Sequence, residues 1–211
     1  DELILVDIVA HLSNDELDFE SINEFGQDCF VPLTVGGGIS NIEQVQKLLR
    51  VGADKVCVNT QAYSNPKLIS DIAKRHGSQC IVASIDVKQK TDNSWECYSH
   101  AGKKPTGKNA IEWAIEMEDH GAGEILLTSI EKDGTMEGYD FKLIEAIIES
   151  VKIPVIASGG AGNYQDMIDA VNKCGANAVA AASMFHFTEQ TPLGAKAAME
   201  LAGIPVRKNF I

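Results

Sequence analysis

The chain has 211 residues and a formal net charge of -12, a length that fits one domain with a sizeable core and is too short for two ordinary domains. Its 45% hydrophobic and 23% charged residues are typical of a folded globular protein and exclude a disordered chain. The negative charge argues against nucleic acid as the main partner, because neutralising a phosphate backbone needs clustered Lys and Arg, whereas a small anionic substrate needs only local donors.

Seven short apolar runs are predicted to be β-strands buried on both faces, because each is apolar nearly throughout instead of alternating. Such strands are typical of a parallel sheet covered by helices. The predicted strands are Leu3–Ile8, Val31–Val35, Lys55–Asn59, Cys80–Asp86, Glu124–Ser129, Ile153–Ser158 and Ala178–Ser183.

Amphipathic segments with helix-start signals lie between these runs. Ser40–Glu43 fits a capping box, Asn65-Pro66 fits an N-cap followed by proline, and Asp140 is placed to cap a third helix. A further helix ends at Gly175. The polar segment 87–107 interrupts the alternation, and we expect a long loop or a hairpin there. Predicted helix-face residues include Val45, Leu48, Leu49, Ile111, Ala114, Ile115, Leu143, Ile144, Ile147, Ile148, Ala170, Val171 and Cys174.

The chain resembles itself at an offset of about 122 residues. The run 2–8 aligns with 124–130, 32–38 aligns with 154–160, and 52–55 aligns with 175–178. Two halves of four βα units predict an eight-stranded (β/α)8 TIM barrel. Seven strands are visible and the chain opens directly on one, so we expect a single domain over 1–211 that lacks the first βα unit. A doubly wound sheet is the alternative, disfavoured because no reversal of strand order is signalled.

Glycine-rich turns end one strand in each half, at 35–39 and 158–162. Backbone N–H groups of such turns converge on anions, and a following helix N-terminus adds a favourable dipole. The neighbouring strands end in Asn59-Thr60 and Ala182-Ser183. The pattern predicts two phosphate sites facing each other across the barrel mouth, and hence a substrate with two phosphates. The alternative is that the glycines serve only tight turn geometry.

Two aspartates stand where a barrel places its chemistry, at the C-terminal ends of strands. Asp86 ends one predicted strand and Asp133 follows another, so we predict that both act as general acid or base. Asp7 also ends a strand and ranks lower. The alternative for Asp86 and Asp133 is helix capping or a salt bridge. Hydrogen bonds to the substrate are predicted from Asn59, Thr128, Ser129 and Ser158.

No apolar run approaches the ~20 residues of a membrane helix, so we expect no membrane association. The five cysteines are scattered, odd in number and without CxxC spacing, which disfavours a zinc cluster or a disulfide framework. The five histidines show no metal-ligand spacing. We therefore expect a cytoplasmic protein that needs no metal and no cofactor.

Seven segments together resemble the cyclase subunit family of imidazole glycerol phosphate synthase, a barrel of histidine biosynthesis. The sister isomerase of that pathway shares the half-barrel repeat and the phosphate sites but not the segment SIEKDGTMEGYD. The segments are Thr34–Ile39 (TVGGGI), Gly52–Thr60 (GADKVCVNT), Ala83–Asp86 (ASID), Gly102–Gly107 (GKKPTG), Gly121–Asp140 (GAGEILLTSIEKDGTMEGYD), Ala157–Gly162 (ASGGAG) and Ala181–Phe187 (AASMFHF).

The resemblance implies a lyase reaction. Ammonia would attack an open-chain ribulosyl aminoimidazole carboxamide ribonucleotide, and cyclisation with cleavage would yield imidazole glycerol phosphate and aminoimidazole carboxamide ribonucleotide. Asp86 matches a family position near the reacting centre, and Asp133 matches the catalytic aspartate of the second half. The matched phosphate positions are Gly38, Asn59 and Thr60 for one site, and Gly160, with Gly159 beside it, Ala182 and Ser183 for the other.

The family also implies a partner, a glutaminase subunit docked on the N-terminal face that would deliver ammonia through the barrel interior in a heterodimer. Glu2, Lys55 and Glu124 match the charged gate of that path, whereas from the residues alone they are ordinary surface charges. Asp54 and Gln79 match the docking face.

Several family features have no counterpart in the sequence. The family's first strand carries another catalytic aspartate, a fourth gate charge and a mobile loop with a lysine, and Val9 and His11 also depart from the family pattern. Two alternatives therefore stay open. One is a paralogous barrel that serves an amidotransferase in surface-sugar modification, and the other is a glutaminase-binding chain without turnover, for which we expect very low activity.

Overall fold

The computed structural model describes residues 1–7 and 17–207, and the strands within them form one sheet. The strands are β1 (Leu3–Val6), β2 (Leu33–Gly36), β3 (Lys55–Val58), β4 (Ile81–Gln89), β5 (Trp95–Ser99), β6 (Lys104–Asn109), β7 (Glu124–Ser129), β8 (Val155–Ser158) and β9 (Ala178–Val179).

Helices follow the strands, as the alternating sequence pattern predicts. They are α1 (Phe19–Gln27), α2 (Ile42–Arg50), α3 (Thr60–Ser64), α4 (Lys67–His76), α5 (Ala110–Asp119), α6 (Phe141–Ile148), α7 (Tyr164–Cys174), α8 (Ser183–Phe187) and α9 (Pro192–Leu201). A short 3-10 turn, Ser78–Cys80, leads into β4.

Seven strands pair in parallel in the order β1-β2-β3-β4-β7-β8-β9, so spatial order follows chain order. This order has no reversal point, and the doubly wound alternative is therefore wrong. The fold is an α/β barrel of the TIM type in which seven parallel strands are described, with β1 and β9 at the two edges. The segment 87–107 is a hairpin, because β5 pairs with β4 and β6 pairs with β5, both antiparallel.

The internal repeat extends to individual hydrogen bonds. The N–H of Leu3 donates to the carbonyl of Pro32 at 2.9 Å, and 122 residues later the N–H of Ile125 donates to Pro154 at 2.9 Å. Because proline has no N–H, β2 and β8 begin only after these prolines, later than predicted. Equivalent side-chain hydrogen bonds fix the starts of β2 and β8. The Asp54 side chain accepts the N–H of Leu33, and the Asn177 side chain accepts the N–H of Val155.

The core has two layers, one on each side of the sheet. The outer layer packs the strands against the helices and includes the fully buried Ile72, Trp113 and Leu127. The inner layer contains Cys57, Val82, Leu126 and Ile156, with Ile4 and Ala180 packed against them. These inner residues come from six different strands or strand ends, so the sheet curls around them as in a barrel.

Several predicted boundaries differ from the structure. The N-cap of α2 is Asn41 and not Ser40, because the Asn41 side chain accepts the N–H of Gln44. Ser40 instead donates its own N–H to the Gln44 side chain. Ile115, predicted to be buried on α5, is 39% exposed, and Trp113 and Met117 fill that face.

Two strands differ in length from their predictions. β4 continues past Asp86 to Gln89, because β5 supplies it with an antiparallel partner. β9 spans only Ala178–Val179, because it is an edge strand paired on one side and the chain turns into α8 at Ser183. Residue 8, the predicted end of the first strand, lies outside the described residues.

Adjacent leucines on β7 should differ in their contribution to stability. Leu127 is 1% exposed in the outer layer, whereas Leu126 is 7% exposed and borders a large cavity. We expect Leu127→Ala to lower the free energy of unfolding by about 2–5 kcal/mol. Leu126→Ala should cost less, because water can occupy the space that the side chain leaves. Urea unfolding of the two variants measures the difference, and equal losses would contradict the two-layer description.

Candidate active site

A cavity of about 1730 Å³ runs along the inside of the curled sheet, from the strand starts at Glu2 and Ala178 to the C-terminal edge of the parallel strands. Parallel pairing brings all strand ends to this edge, so residues distant in sequence share one surface. Eleven of the predicted site residues line the cavity at this edge: Gly38, Asn59, Thr60, Asp86, Thr128, Asp133, Ser158, Gly159, Gly160, Ala182 and Ser183. Glu2 lines the cavity at its other end, next to the strand starts. Lys55, Asp54, Gln79 and Glu124 lie at strand starts, on the opposite face.

Asp86 is held inside a strand and not at a strand end. It pairs with Thr128 on β7 and with Tyr98 on β5, and Thr128 pairs in turn with Ser158 on β8. The pairing places Asp86, Thr128 and Ser158 side by side at one level of the sheet. Backbone pairing on both sides fixes the position of the Asp86 carboxyl relative to the two hydroxyls.

The electrostatic surroundings of Asp86 favour its protonated form. Burial, helped by the nearby charge of Asp133, raises the pKa of Asp86 to about 6, although a hydrogen bond from the side-chain amide of Asn59 acts in the opposite direction. That amide nitrogen lies 2.9 Å from Oδ2 of Asp86. A carboxyl that titrates near neutrality can both give and take a proton at physiological pH.

Asp133 also lines the cavity, on the loop that follows β7, the strand paired with the one that carries Asp86. Its N–H donates to the carbonyl of Ser129 at 2.9 Å, which fixes the first turn of the loop. Within the described residues, neither Asp86 nor Asp133 caps a helix or forms an ion pair. The capping and salt-bridge alternatives therefore do not describe the contacts seen at these two carboxyls.

The glycine turn of the second half supports the Asp133 loop. Gly159 has φ +85°, and a Cβ there would lie 2.7 Å from the carbonyl oxygen of Ser129 and 3.3 Å from Cβ of Asp133. Gly160 has φ +109°, and a Cβ on it would overlap the carbonyl oxygen of Gly138. Glycine is required at both positions because no side chain fits between the turn and the loop.

The first half repeats this arrangement. Gly37 has φ +103°, and a Cβ there would overlap the carbonyl oxygen of Asp7, whose N–H donates to Gly36 at 3.0 Å. Tight geometry therefore accounts for glycine in both turns. Because the same turns also line the cavity, phosphate binding by their N–H groups stays a prediction.

Asn59 and Thr60 stand at the start of α3 and face the cavity. The Asn59 side chain makes no helix cap, since its amide donates to Asp86, and its Oδ1 is buried without a hydrogen-bond partner among the described residues. The Thr60 hydroxyl accepts the N–H of His100 at 2.9 Å, a contact with the hairpin that the sequence analysis missed. Ala182 and Ser183 hold the corresponding place at the start of α8.

Three further residues depart from the sequence prediction. Ser129 is 5% exposed and does not line the cavity, so its side chain is not placed to contact a substrate there. Ala101 and Gly102, at the tip of the hairpin, do line it. The sequence signals were the expectation of a hairpin within 87–107 and, for Gly102, the resemblance of the segment Gly102–Gly107 to the family.

A charged triad lies at the strand starts on the opposite face. The Lys55 ammonium lies 2.7 Å from Glu124 and 3.0 Å from Glu2. Burial alone would lower the pKa of Lys55, but hydrogen bonds to Glu124 and Glu2 outweigh burial, so the pKa is raised and the amine stays charged. The inner layer of the core comes next along the strands, in the direction of their C-terminal ends, and Cys57, Leu126 and Ile156 of this layer line the cavity.

The two predicted docking residues share this face. The Asp54 carboxylate accepts the N–H of Leu33 at 2.8 Å, so it fastens the start of β2. Gln79 is exposed in the 3-10 turn before β4, and its amide donates to the carbonyl of His76 at 3.2 Å. Asp54 thus has a structural role within the chain whether or not a partner contacts it.

Within residues 1–7 and 17–207 no cluster of His, Cys, Asp or Glu side chains has the geometry to hold a metal ion. All five cysteines are free thiols, and burial raises the pKa of Cys57 to about 12, which makes it a poor nucleophile. In that same part of the chain we find no helix long and apolar enough to cross a membrane. Val9 and His11 lie outside the described residues.

One protein-family model matches this sequence. The family is described as "Histidine biosynthesis protein", and the match covers residues 1–191 of the chain. Every site residue discussed above falls within the matched range.

The raised pKa of Asp86 predicts a pH-dependent stability. Asp86 ionises more easily in the unfolded chain than in the folded one. The contribution of the neutral Asp86 carboxyl to the free energy of unfolding is therefore fully present below about pH 4 and is lost as the pH rises through about 6. Asp86→Asn keeps an acceptor for Asn59 and removes the charge. We expect the variant to exceed the wild type by up to about 3 kcal/mol at pH 8 and by much less at pH 4.

Free energies of unfolding measured by urea titration across this pH range test the prediction. Asp92→Asn is a control of opposite sign, because hydrogen bonds from Ser94 lower the pKa of Asp92. Its contribution is therefore present at high pH and lost as the pH falls. A difference between wild type and Asp86→Asn that did not change with pH would show that the Asp86 carboxyl is not desolvated.

Proposed function

The chain belongs to the histidine biosynthesis protein family, an enzyme family with this barrel fold, and we propose that it is the family's cyclase. In this proposal it is the lyase subunit of imidazole glycerol phosphate synthase. Ammonia and the ribulosyl aminoimidazole carboxamide ribonucleotide would give imidazole glycerol phosphate and aminoimidazole carboxamide ribonucleotide. The observation that carries the proposal is that Asp86 and Asp133 line one cavity together with the glycine turns of both halves.

The shape of the substrate fits this arrangement. It carries a phosphate at each end, and the cavity is bordered by Gly38, Asn59 and Thr60 in one half and by Gly160, Ala182 and Ser183 in the other. Backbone N–H groups and hydroxyls would hold both phosphates. This kind of recognition needs no basic surface, which reconciles an anionic substrate with a net charge of -12.

The reaction requires protons to move in both directions. Condensation of ammonia with the substrate carbonyl expels water, and ring closure expels the amine of the carboxamide ribonucleotide, so each departing group takes up a proton. We assign Asp86 as the acid that supplies a proton, since a pKa of about 6 keeps part of it protonated near neutrality. Asp133 would remove the protons that the incoming nitrogen loses.

The source of ammonia in this proposal is a glutaminase subunit docked on the N-terminal face. Lys55, with Glu2 and Glu124, would form the entrance, and Asp54 and Gln79 would border the docking surface. Between the entrance and the carboxyls lie Cys57, Val82, Leu126 and Ile156. A neutral ammonia molecule can pass such apolar side chains, whereas the ammonium ion would pay the cost of desolvation.

The direct experiment is an assay of ammonia-dependent cyclisation with the protein produced from its complete gene. The proposal requires formation of both products from the ribulosyl substrate. Isomerisation of the ribosyl precursor without cyclisation would instead identify the sister isomerase. Activity restricted to a nucleotide sugar would identify the paralogue of surface-sugar modification, and binding of the glutaminase without turnover would leave only the docking role.

Asp133→Asn should separate catalysis from binding. The change keeps the size and polarity of the side chain but removes its ability to accept a proton. We expect kcat for ammonia-dependent cyclisation to fall by roughly 100- to 10,000-fold, while the affinity for the substrate changes little. Steady-state kinetics and a binding titration measure the two effects. Asp71→Asn, on the exposed side of α4, is the matched control, and an unchanged kcat for Asp133→Asn would refute its role.

A further inference from the structure

The tip of the β5–β6 hairpin forms part of the cavity wall. Ala101 and Gly102 border the cavity, next to Thr60. The φ values of His100, Ala101 and Gly102 are +54°, +54° and +74°, so three successive residues have a left-handed backbone conformation. For the two residues that are not glycine this conformation costs roughly 1–2 kcal/mol each. Such a cost persists only where surrounding contacts hold the turn in place.

Contacts on both sides fix the tip. On one side, the N–H of His100 donates to the Thr60 hydroxyl at 2.9 Å. On the other side, a Cβ on Gly102 would lie 3.2 Å from Cδ1 of Ile130, which begins the loop carrying Asp133. The tip therefore connects the proposed phosphate site of the first half with the Asp133 loop of the second half.

The base of the turn is fixed as well. Ser99 is buried, and its hydroxyl donates to the carbonyl of Lys104 at 3.3 Å. Nδ1 of His100 lies 2.9 Å from the same hydroxyl oxygen. The Ser99 hydroxyl and Nδ1 of His100 therefore share a hydrogen bond whose direction depends on the imidazole tautomer. The imidazole thus holds the backbone of His100 at the height where its N–H reaches Thr60.

The contact with His100 determines what the Thr60 hydroxyl can offer a ligand. A hydroxyl has one proton and two lone pairs. When one lone pair accepts the N–H of His100, the proton remains to be donated, and Thr60 lines the cavity. A phosphate oxygen is a strong acceptor for such a proton.

We propose that the turn His100–Gly102 is a positioning element for one phosphate of the substrate, which it serves by orienting the Thr60 hydroxyl toward the cavity. This inference rests on the proposed function. The turn acts through Thr60 and through the wall it forms, and His100 itself is not a catalytic residue. The ligand class is a phosphomonoester, of which inorganic phosphate is the simplest probe.

The first test breaks the turn and leaves Thr60 intact. Ala101→Val places a β-branched residue at φ +54°, which that side chain does not tolerate, so the N–H of His100 must move away from Thr60. We expect KM for the ribulosyl substrate to rise roughly 10- to 100-fold, with a much smaller change in kcat. Asn93→Val makes the same kind of change at φ +64° in the turn between β4 and β5. Asn93 does not line the cavity, so this variant should leave KM unchanged.

The second test needs no turnover. In ¹H–¹⁵N spectra of the full chain, addition of inorganic phosphate should shift the His100 amide signal, because polarising the Thr60 hydroxyl strengthens the bond it accepts. Thr60→Val should abolish this response, and Thr60→Ser should retain it. The two Thr60 variants test the positioning role of the turn even if Ala101→Val fails to fold.

The outcomes separate this inference from the proposed function. A phosphate response at His100 without cyclisation would support the positioning role and refute the cyclase assignment. Cyclisation with a wild-type KM in folded Ala101→Val would overturn the positioning role and leave the cyclase assignment standing. A His100 response that persists in Thr60→Val would also overturn the positioning role.

Discussion

Parallel pairing of consecutive strands is the constraint on which the candidate site depends. Since seven strands run in the same direction and in chain order, every loop that follows a strand emerges at one edge of the sheet. Asp86 and Asp133 are 47 positions apart in the printed sequence, yet they line the same cavity because β4 and β7 are neighbours. The same pairing puts the Lys55 triad at the strand starts, so the proposed entrance and the proposed reaction centre lie at opposite ends of the strands.

The glycine turns combine two requirements that sequence reasoning treats as alternatives. Gly159 and Gly160 are needed because the backbone of the Asp133 loop lies where their side chains would be. That packing also fixes the position of the Asp133 loop, which borders the same cavity as Asp86. The binding surface and the position of the carboxyl therefore arise from one local geometry, and a residue larger than glycine would disturb both. In the first half, Gly37 has the same relation to Asp7.

Periodicity and self-similarity predict the strands, the order of the elements and the repeat, because these depend on local apolar patterns. The ends of elements follow from partners that the local sequence does not reveal. β4 extends because β5 pairs with it, and Asn41 instead of Ser40 caps α2 because the Asn41 side chain accepts the N–H of Gln44. The contact between His100 and Thr60 joins residues 40 positions apart through a backbone N–H, which no side-chain pattern encodes. The raised pKa of Asp86 likewise depends on burial, which becomes known only once the fold is known.

The central claim is that one cavity holds a substrate by a phosphate at each end, with Asp86 and Asp133 between them. The most direct test is ³¹P NMR of the ribulosyl substrate titrated into Asp133→Asn protein, in which turnover is suppressed. We expect both phosphorus resonances to shift with a single dissociation constant, and Ser183→Ala to reduce the shift of only one of them. A shift confined to one resonance, with the other unchanged at saturation, would contradict it.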